Sequence, residues 1–140
     1  MTRTARLIVL TAAMAAAASL SGCKVLNKGD SGPNPDTYAD VTVIDPYTDE
    51  EITVRAFRSG NQPVRDAIKH LQNEDFDEAL AALELAVAES PRDDRAWFAL
   101  GLCREWLEDY EGAVEAYKQA NFIDSQVEYQ QARVRAEGWL

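Results

Sequence analysis

The spacing of hydrophobic and polar residues changes character several times along the chain. Residues 7–20 (LIVLTAAMAAAASL) are apolar or small throughout. Residues 24–37 (KVLNKGDSGPNPDT) have no period and are rich in Gly, Pro, Asn and Asp, the composition of a flexible tether. Across 40–59, Val41 and Val43, then Ile52 and Val54, alternate with polar residues on either side of Asp45-Pro46-Tyr47-Thr48-Asp49. A period of two predicts two short strands around a loop, a short β-hairpin. An extended segment without regular pairing fits the same pattern. An isolated hairpin is marginal in water, so one formed here must lie on something. From Gly60 onward the period becomes helical and predicts helices near 62–73, 77–90, 95–108, 112–122 and 126–137. Boundary signals agree: Asp75 with Glu78, and Ser125 with Glu128, have capping-box spacing, and Ser90-Pro91 stops the second helix.

The N-terminus reads as an address. Arg3 and Arg6 precede the apolar run with no acid between them, the layout of a secretory signal peptide. The run is too short to span a bilayer, which takes ~20 residues. It ends in Leu20-Ser21-Gly22-Cys23, which resembles the bacterial lipobox. The resemblance implies cleavage before Cys23, a diacylglycerol on its thiol and usually an acylated new N-terminus. The alternative is an ordinary signal peptide with a chance Cys. By the same resemblance Lys24, standing where Asp favours inner-membrane retention, directs the chain to the outer membrane facing the periplasm if the source is diderm. The expected order is a lipoprotein signal peptide at 1–22, a lipidated N-terminus and tether at 23–39, the candidate β-hairpin at 40–59 and a helical domain at 60–140.

The helical part repeats itself. Asp75-Phe76-Asp77-Glu78-Ala79-Leu80 aligns with Asp109-Tyr110-Glu111-Gly112-Ala113-Val114, and Leu83 with Tyr117, Ala86 with Ala120, Ala67 with Gly101. Two helix pairs at this offset resemble the tetratricopeptide repeat, whose period is about 34 residues. Trp97-x-x-Leu100-Gly101 matches the start of that family's pattern, and Tyr110, Ala113, Tyr117 and Ala120 fill its second helix. Gly101 and Ala113 would let the helices approach closely, while Trp97, Leu100 and Tyr117 fill the space between them. Arg104 stands where a Tyr is common, and Ser125 where a Pro usually stops the second helix. In the first copy Pro63 and Asp66 replace the Trp and Leu. The fold class is therefore mostly α: two tetratricopeptide-like hairpins of helices and a C-terminal capping helix, with Trp139 and Leu140 folding back onto the last hairpin or reaching a partner.

Composition narrows the function. The chain has 14 Lys+Arg against 24 Asp+Glu, a formal charge of −10, which argues against nucleic acid as a main partner. Hydrophobic residues make up 46%, too many for a disordered chain. Two Cys and one His cannot build a four-ligand structural zinc site. Cys103, within a helical stripe, reads as a small buried thiol. His70 has no nucleophile or orienting group at catalytic spacing, and no phosphate loop, H-E-x-x-H or EF-hand motif occurs. Asp93-Asp94 and Glu108-Asp109 sit at helix starts, where the dipole favours carboxylates. No catalytic residue, metal site or cofactor is expected.

A binding role remains. The resemblance implies a non-enzymatic module that holds an envelope protein or peptide, its membrane contact made through the lipid. A structural subunit buried permanently in a secretion- or pilus-type assembly is the alternative. In this family the first helix of each pair lines the concave face. Phe98, Leu102 and Trp106 form an apolar stripe there, with Val64, Ile68 and Leu71 in similar places in the first copy. These six are the candidate partner-binding residues. Their cover could be the chain's own 40–59 segment, a partner's helix or extended peptide, or a second copy, since large apolar patches rarely stay open.

Overall fold

The computed structural model describes residues 37–140. The expected signal peptide, the expected lipid-attachment residue Cys23 and the expected tether up to Asp36 lie outside the described residues. The described chain begins with a two-stranded antiparallel sheet, β1 (Tyr38–Ile44) and β2 (Glu51–Phe57). Val41 faces Val54 and Val43 faces Ile52, so the alternating apolar positions share one side of the hairpin. Ala39, Val41, Val43 and Ala56 on that side are buried. The turn is closed by Asp45, whose backbone pairs with Glu50 and whose side chain accepts from the Tyr47 and Thr48 amides.

Five helices follow: α1 (Gln62–Gln72), α2 (Phe76–Glu89), α3 (Asp94–Trp106), α4 (Tyr110–Ile123) and α5 (Val127–Glu137). Each packs against its neighbour in sequence, as stacked hairpins of helices require. The repeat extends to the backbone. In both helix pairs the turn is a six-residue C-terminal motif: Asp75 N donates to His70 O and Asp109 N to Arg104 O, each at 2.9 Å. The residues that normally call for glycine in this motif are Glu74 (φ 62°) and Glu108 (φ 65°). Asp93 and Asp109 then cap α3 and α4 by accepting from the Ala96 and Gly112 amides. Asp75 stands at the N-cap of α2 without a side-chain hydrogen bond, and α5 starts from Gln126 rather than from a Ser125 cap.

Close approach fixes the second pair. A Cβ added at Gly101 would lie 2.9 Å from Tyr117 Cζ and closer still to two other ring atoms. The fully buried Tyr117 ring thus occupies the room that the missing side chain leaves between α3 and α4. The hairpin and the helices share one hydrophobic core, to which Val64, Ile68, Leu71, Phe98, Leu100 and Leu102 contribute. The hairpin rests on α1 and α3: β1 packs against both and β2 against α3.

Candidate protein-binding surface

The hairpin decides the fate of the stripe predicted to take a partner. Val64, Ile68 and Leu71 from α1, and Phe98 and Leu102 from α3, are all buried. The face of α1 and α3 that the sequence left open is packed under the chain's own strands. Those five residues are core, and the assignment of a partner groove to them is corrected on that ground. The physical reason is economy of apolar area: a hairpin with one apolar side and a helix layer with one uncovered stripe bury each other. Phe98 is also enclosed laterally, its ring 5.7 Å from Tyr117 and 4.7 Å from Tyr129 between centroids. Trp106 differs. It is 46% exposed and stacks on Phe76 at 3.7 Å with the planes 6° apart, which ties the ends of α3 and α2 together.

A buried polar cluster behind this face was not visible in the pattern. Glu105 and Arg135 are both almost fully buried and meet in a two-pronged ion pair at 2.7 and 2.8 Å. Tyr117 Oη donates to Glu105 Oε2 at 2.6 Å. The three residues come from α3, α5 and α4, so one carboxylate joins all three helices. Burial pulls the Arg135 guanidinium down, but the hydrogen bonds and attraction of Glu105 outweigh it and its pKa stands above the ordinary value. Burial, reinforced by the Glu105 charge, raises the Tyr117 phenol well above its usual range. Both groups keep one protonation state across the physiological range, which suits a fastening rather than proton transfer. Partners thirty residues apart leave no local spacing to read; the signal available was an acid inside an otherwise apolar helical stripe.

Two further groups stand apart from this cluster. The Cys103 Sγ donates to Phe76 O at 3.2 Å, and burial pushes its thiol pKa up to about 12, so the thiolate needed for reactivity is suppressed. His70 Nδ1 lies 3.9 Å from Asp75. Among the described residues no group of three or more His, Cys, Asp or Glu is arranged to hold a metal ion. Nor is any helix among them long and apolar enough to cross a membrane.

What remains at the surface is a shallow groove of about 490 Å³ between the β-turn and α5, lined chiefly by Tyr47, Ile52, Val127, Gln130 and Val134. Tyr47 Oη donates to Val134 O at 3.4 Å across it. The C-terminus closes one end. The Trp139 indole stacks on Tyr110 and donates to Ile44 O at 3.3 Å, so it folds back on the domain, whereas Leu140 stays exposed. Gly138 sits so close to the turn that a Cβ there would meet Pro46 Cγ at 2.6 Å. A second groove of about 490 Å³ runs past Arg58, Gln62, Arg65, Lys69 and Gln72, a basic strip on an acidic protein. The Arg65 guanidinium is already engaged by Gly60 O and Gln62.

Paired antiparallel helices, an identical turn in each pair and an aromatic filling the glycine gap all belong to one repeat pattern. Residues 66–127 match the tetratricopeptide repeat family model. The matched span runs from within α1 to the first residue of α5 and supports a tetratricopeptide-repeat protein. No curated protein and no solved structure gives a match. Tetratricopeptide repeats generally mediate protein–protein interaction and are typically non-catalytic. In this chain the face of α1 and α3 is taken by the hairpin.

Proposed function

We propose that this chain is a lipid-anchored tetratricopeptide-repeat protein of the bacterial cell envelope that acts as a protein-binding adaptor. The observation that carries the binding role is the repeat match over residues 66–127. Anchoring rests on Leu20-Ser21-Gly22-Cys23 following an apolar run too short to span a bilayer. Two or three acyl chains at Cys23 would hold the protein stably, where a single chain is marginal at ~0.8 kcal/mol per buried CH₂. Residues 24–36 would then set the domain off the headgroups, at up to roughly 3.3–3.6 Å per residue when extended. Lys24 favours the outer membrane, periplasmic face, in a diderm source. The partner is an envelope protein or peptide.

Palmitate labelling of the expressed chain tests the anchor. The unsubstituted protein should label and sediment with membranes, and Cys23→Ala should leave an unlabelled precursor. Normal labelling of Cys23→Ala overturns the anchoring. Affinity capture from solubilised membranes tests the adaptor role. Reproducible recovery of one envelope protein, with the captured domain still able to fold alone when that protein is deleted, supports it. A chain that is degraded or insoluble without its partner is a subunit instead.

A further inference from the structure

The two edges of the sheet are treated differently. Asp45 N bonds Glu50 O at one end of the hairpin and Arg58 N bonds Thr37 O at the other, which fixes the hydrogen-bonding phase of the ladder. The odd-numbered residues of β1 and the even-numbered ones of β2 face inward along it. On β1 the outward carbonyls at the two ends are taken, Tyr38 O by Gln72 Nε2 at 2.5 Å and Ile44 O by Trp139 Nε1 at 3.3 Å, and these two side chains flank the short open stretch at Asp40 and Thr42. On β2 the outward amides and carbonyls belong to Glu51, Thr53, Arg55 and Phe57, and no hydrogen bond among the described residues reaches them.

We infer that the open edge of β2 pairs with β2 of a second copy of this chain, antiparallel and centred on Thr53. In that register Thr53 stands opposite Thr53 of the other copy, and each Glu51 stands opposite the other copy's Arg55. The outward backbone groups of all three residues then meet. Both faces of the new strand pair agree with it. On the solvent face, Thr–Thr and opposite-charge pairs are favourable cross-strand neighbours. On the inner face, Ile52 comes opposite the other copy's Val54 and Val54 opposite its Ile52. These are the two inward-facing β2 residues that the helices leave half-buried, whereas Ala56 is fully covered. Charged residues on an edge usually keep copies apart. Here the two charges have opposite sign and swap places under a two-fold axis, so they attract; Arg55 keeps its own hairpin's Asp40 at 3.0 Å and meets the other copy's Glu51 on its far side. Registers displaced by two residues lose the match: one sets Glu51 against Phe57, and the other draws Asp49 of the turn (φ 57°) against Arg55. The product is a four-stranded sheet running through both copies.

The test uses the full chain in membranes of the expressing cell. Thr53→Cys is oxidised with copper phenanthroline and run on a non-reducing gel beside Thr42→Cys and the unsubstituted chain. Thr42 lies opposite Thr53 within the same hairpin but off the open edge. A hydrogen-bonded antiparallel pair has Cα atoms about 5.5 Å apart, within disulfide range. The Thr53→Cys chain should form a covalent homodimer, and Thr42→Cys should give only the background of the unsubstituted chain. Adding Glu51→Arg, or separately Arg55→Glu, should lower the cross-linked yield roughly tenfold, because two attractive pairs become repulsive. Co-expressing those two charge variants should restore it, since the mixed dimer pairs opposite charges again, and restoration also shows that both fold. Equal yields from positions 53 and 42, cross-linking of Thr53→Cys only to another protein, or a yield blind to the charge reversals would each overturn the inference.

Discussion

Truncation of Phe98 measures whether the concave face of the repeats is core or groove. The ring is 5% exposed and packed between Tyr117 and Tyr129. Phe→Ala at a closed site costs ~3–5 kcal/mol, the lost transfer energy plus the cavity left behind. Tyr117 of α4 and Tyr129 of α5 line this site, and neither ring moves into the hole without straining its own hydrogen bond to Glu105 or Asp94, which places the loss towards the upper end. A domain of roughly a hundred residues is stable by about 5–15 kcal/mol, so one such change removes a large share. At ~4–8 °C per kcal/mol, Phe98→Ala should lower the melting temperature by at least about 12 °C. Far-UV circular dichroism against temperature reads this directly. Trp106→Ala is the internal comparison: it removes a half-exposed stack on Phe76 and should cost ~1 kcal/mol. A Phe98→Ala protein that melts within about 2 °C of the unsubstituted chain, yet loses a captured partner, would refute the reasoning. The Phe98 side of α3 would then be open in solution.

Other outcomes follow from particular contacts. Arg135→Met strands the Glu105 carboxylate in the core and should cost ~3–5 kcal/mol, while Glu105→Leu with Arg135→Met should recover much of it, because a buried pair often gives up little to apolar residues; chemical denaturation of both variants decides. Glu108→Gly relieves a left-handed backbone whose strain in a non-glycine residue is of order 1–3 kcal/mol, less the ~0.4–1 kcal/mol lost to a freer unfolded chain, so the melting temperature should rise by a few degrees. Cys103 should resist thiol reagents at neutral pH until the chain unfolds. Its folded pKa is raised to about 12, so burial favours the protonated thiol: the stability that depends on it is intact below pH ~9 and falls as pH climbs toward about 12. A fast native-state reaction would show the site to be open.

Local rules carried most of the architecture. Helix spans follow the 3.6-residue period and the Asp and Ser-Pro signals, and β1 and β2 follow the period of two; all five helices lie within two residues of their predicted bounds. What the period could not supply was partnership between elements. An apolar stripe at Val64, Ile68, Leu71, Phe98 and Leu102 looks the same whether its cover is a strand of the same chain or another molecule. The hairpin's own apolar side, Val41 and Val43, was the matching half of the answer. The Glu105–Arg135 pair was hidden for a related reason: Arg135 lies in an α5 sequence rich in Gln, Arg and Glu, where a charge reads as solvated. The glutamates at positive φ escaped because glycine is the usual marker of that turn, and here it is absent from both repeats.

Two repeats are fewer than the three or more that a solenoid needs to bury a continuous core. The missing neighbours come from non-repeat parts of the same chain. On the concave side the hairpin supplies the apolar cover for α1 and α3. At the C-terminal end α5 packs on α4 and reaches into the core with Arg135, fastened to Glu105 and, through it, to Tyr117. Trp139 then binds that end to β1, so the cover and the cap lock each other. Stability obtained this way consumes the surface on which such repeats ordinarily take a peptide. The stretch of sheet left open is the β2 edge, where Glu51, Thr53, Arg55 and Phe57 keep outward backbone groups that no hydrogen bond among the described residues reaches. A surface of that kind selects partners by strand register and charge order, not by the volume of an apolar groove.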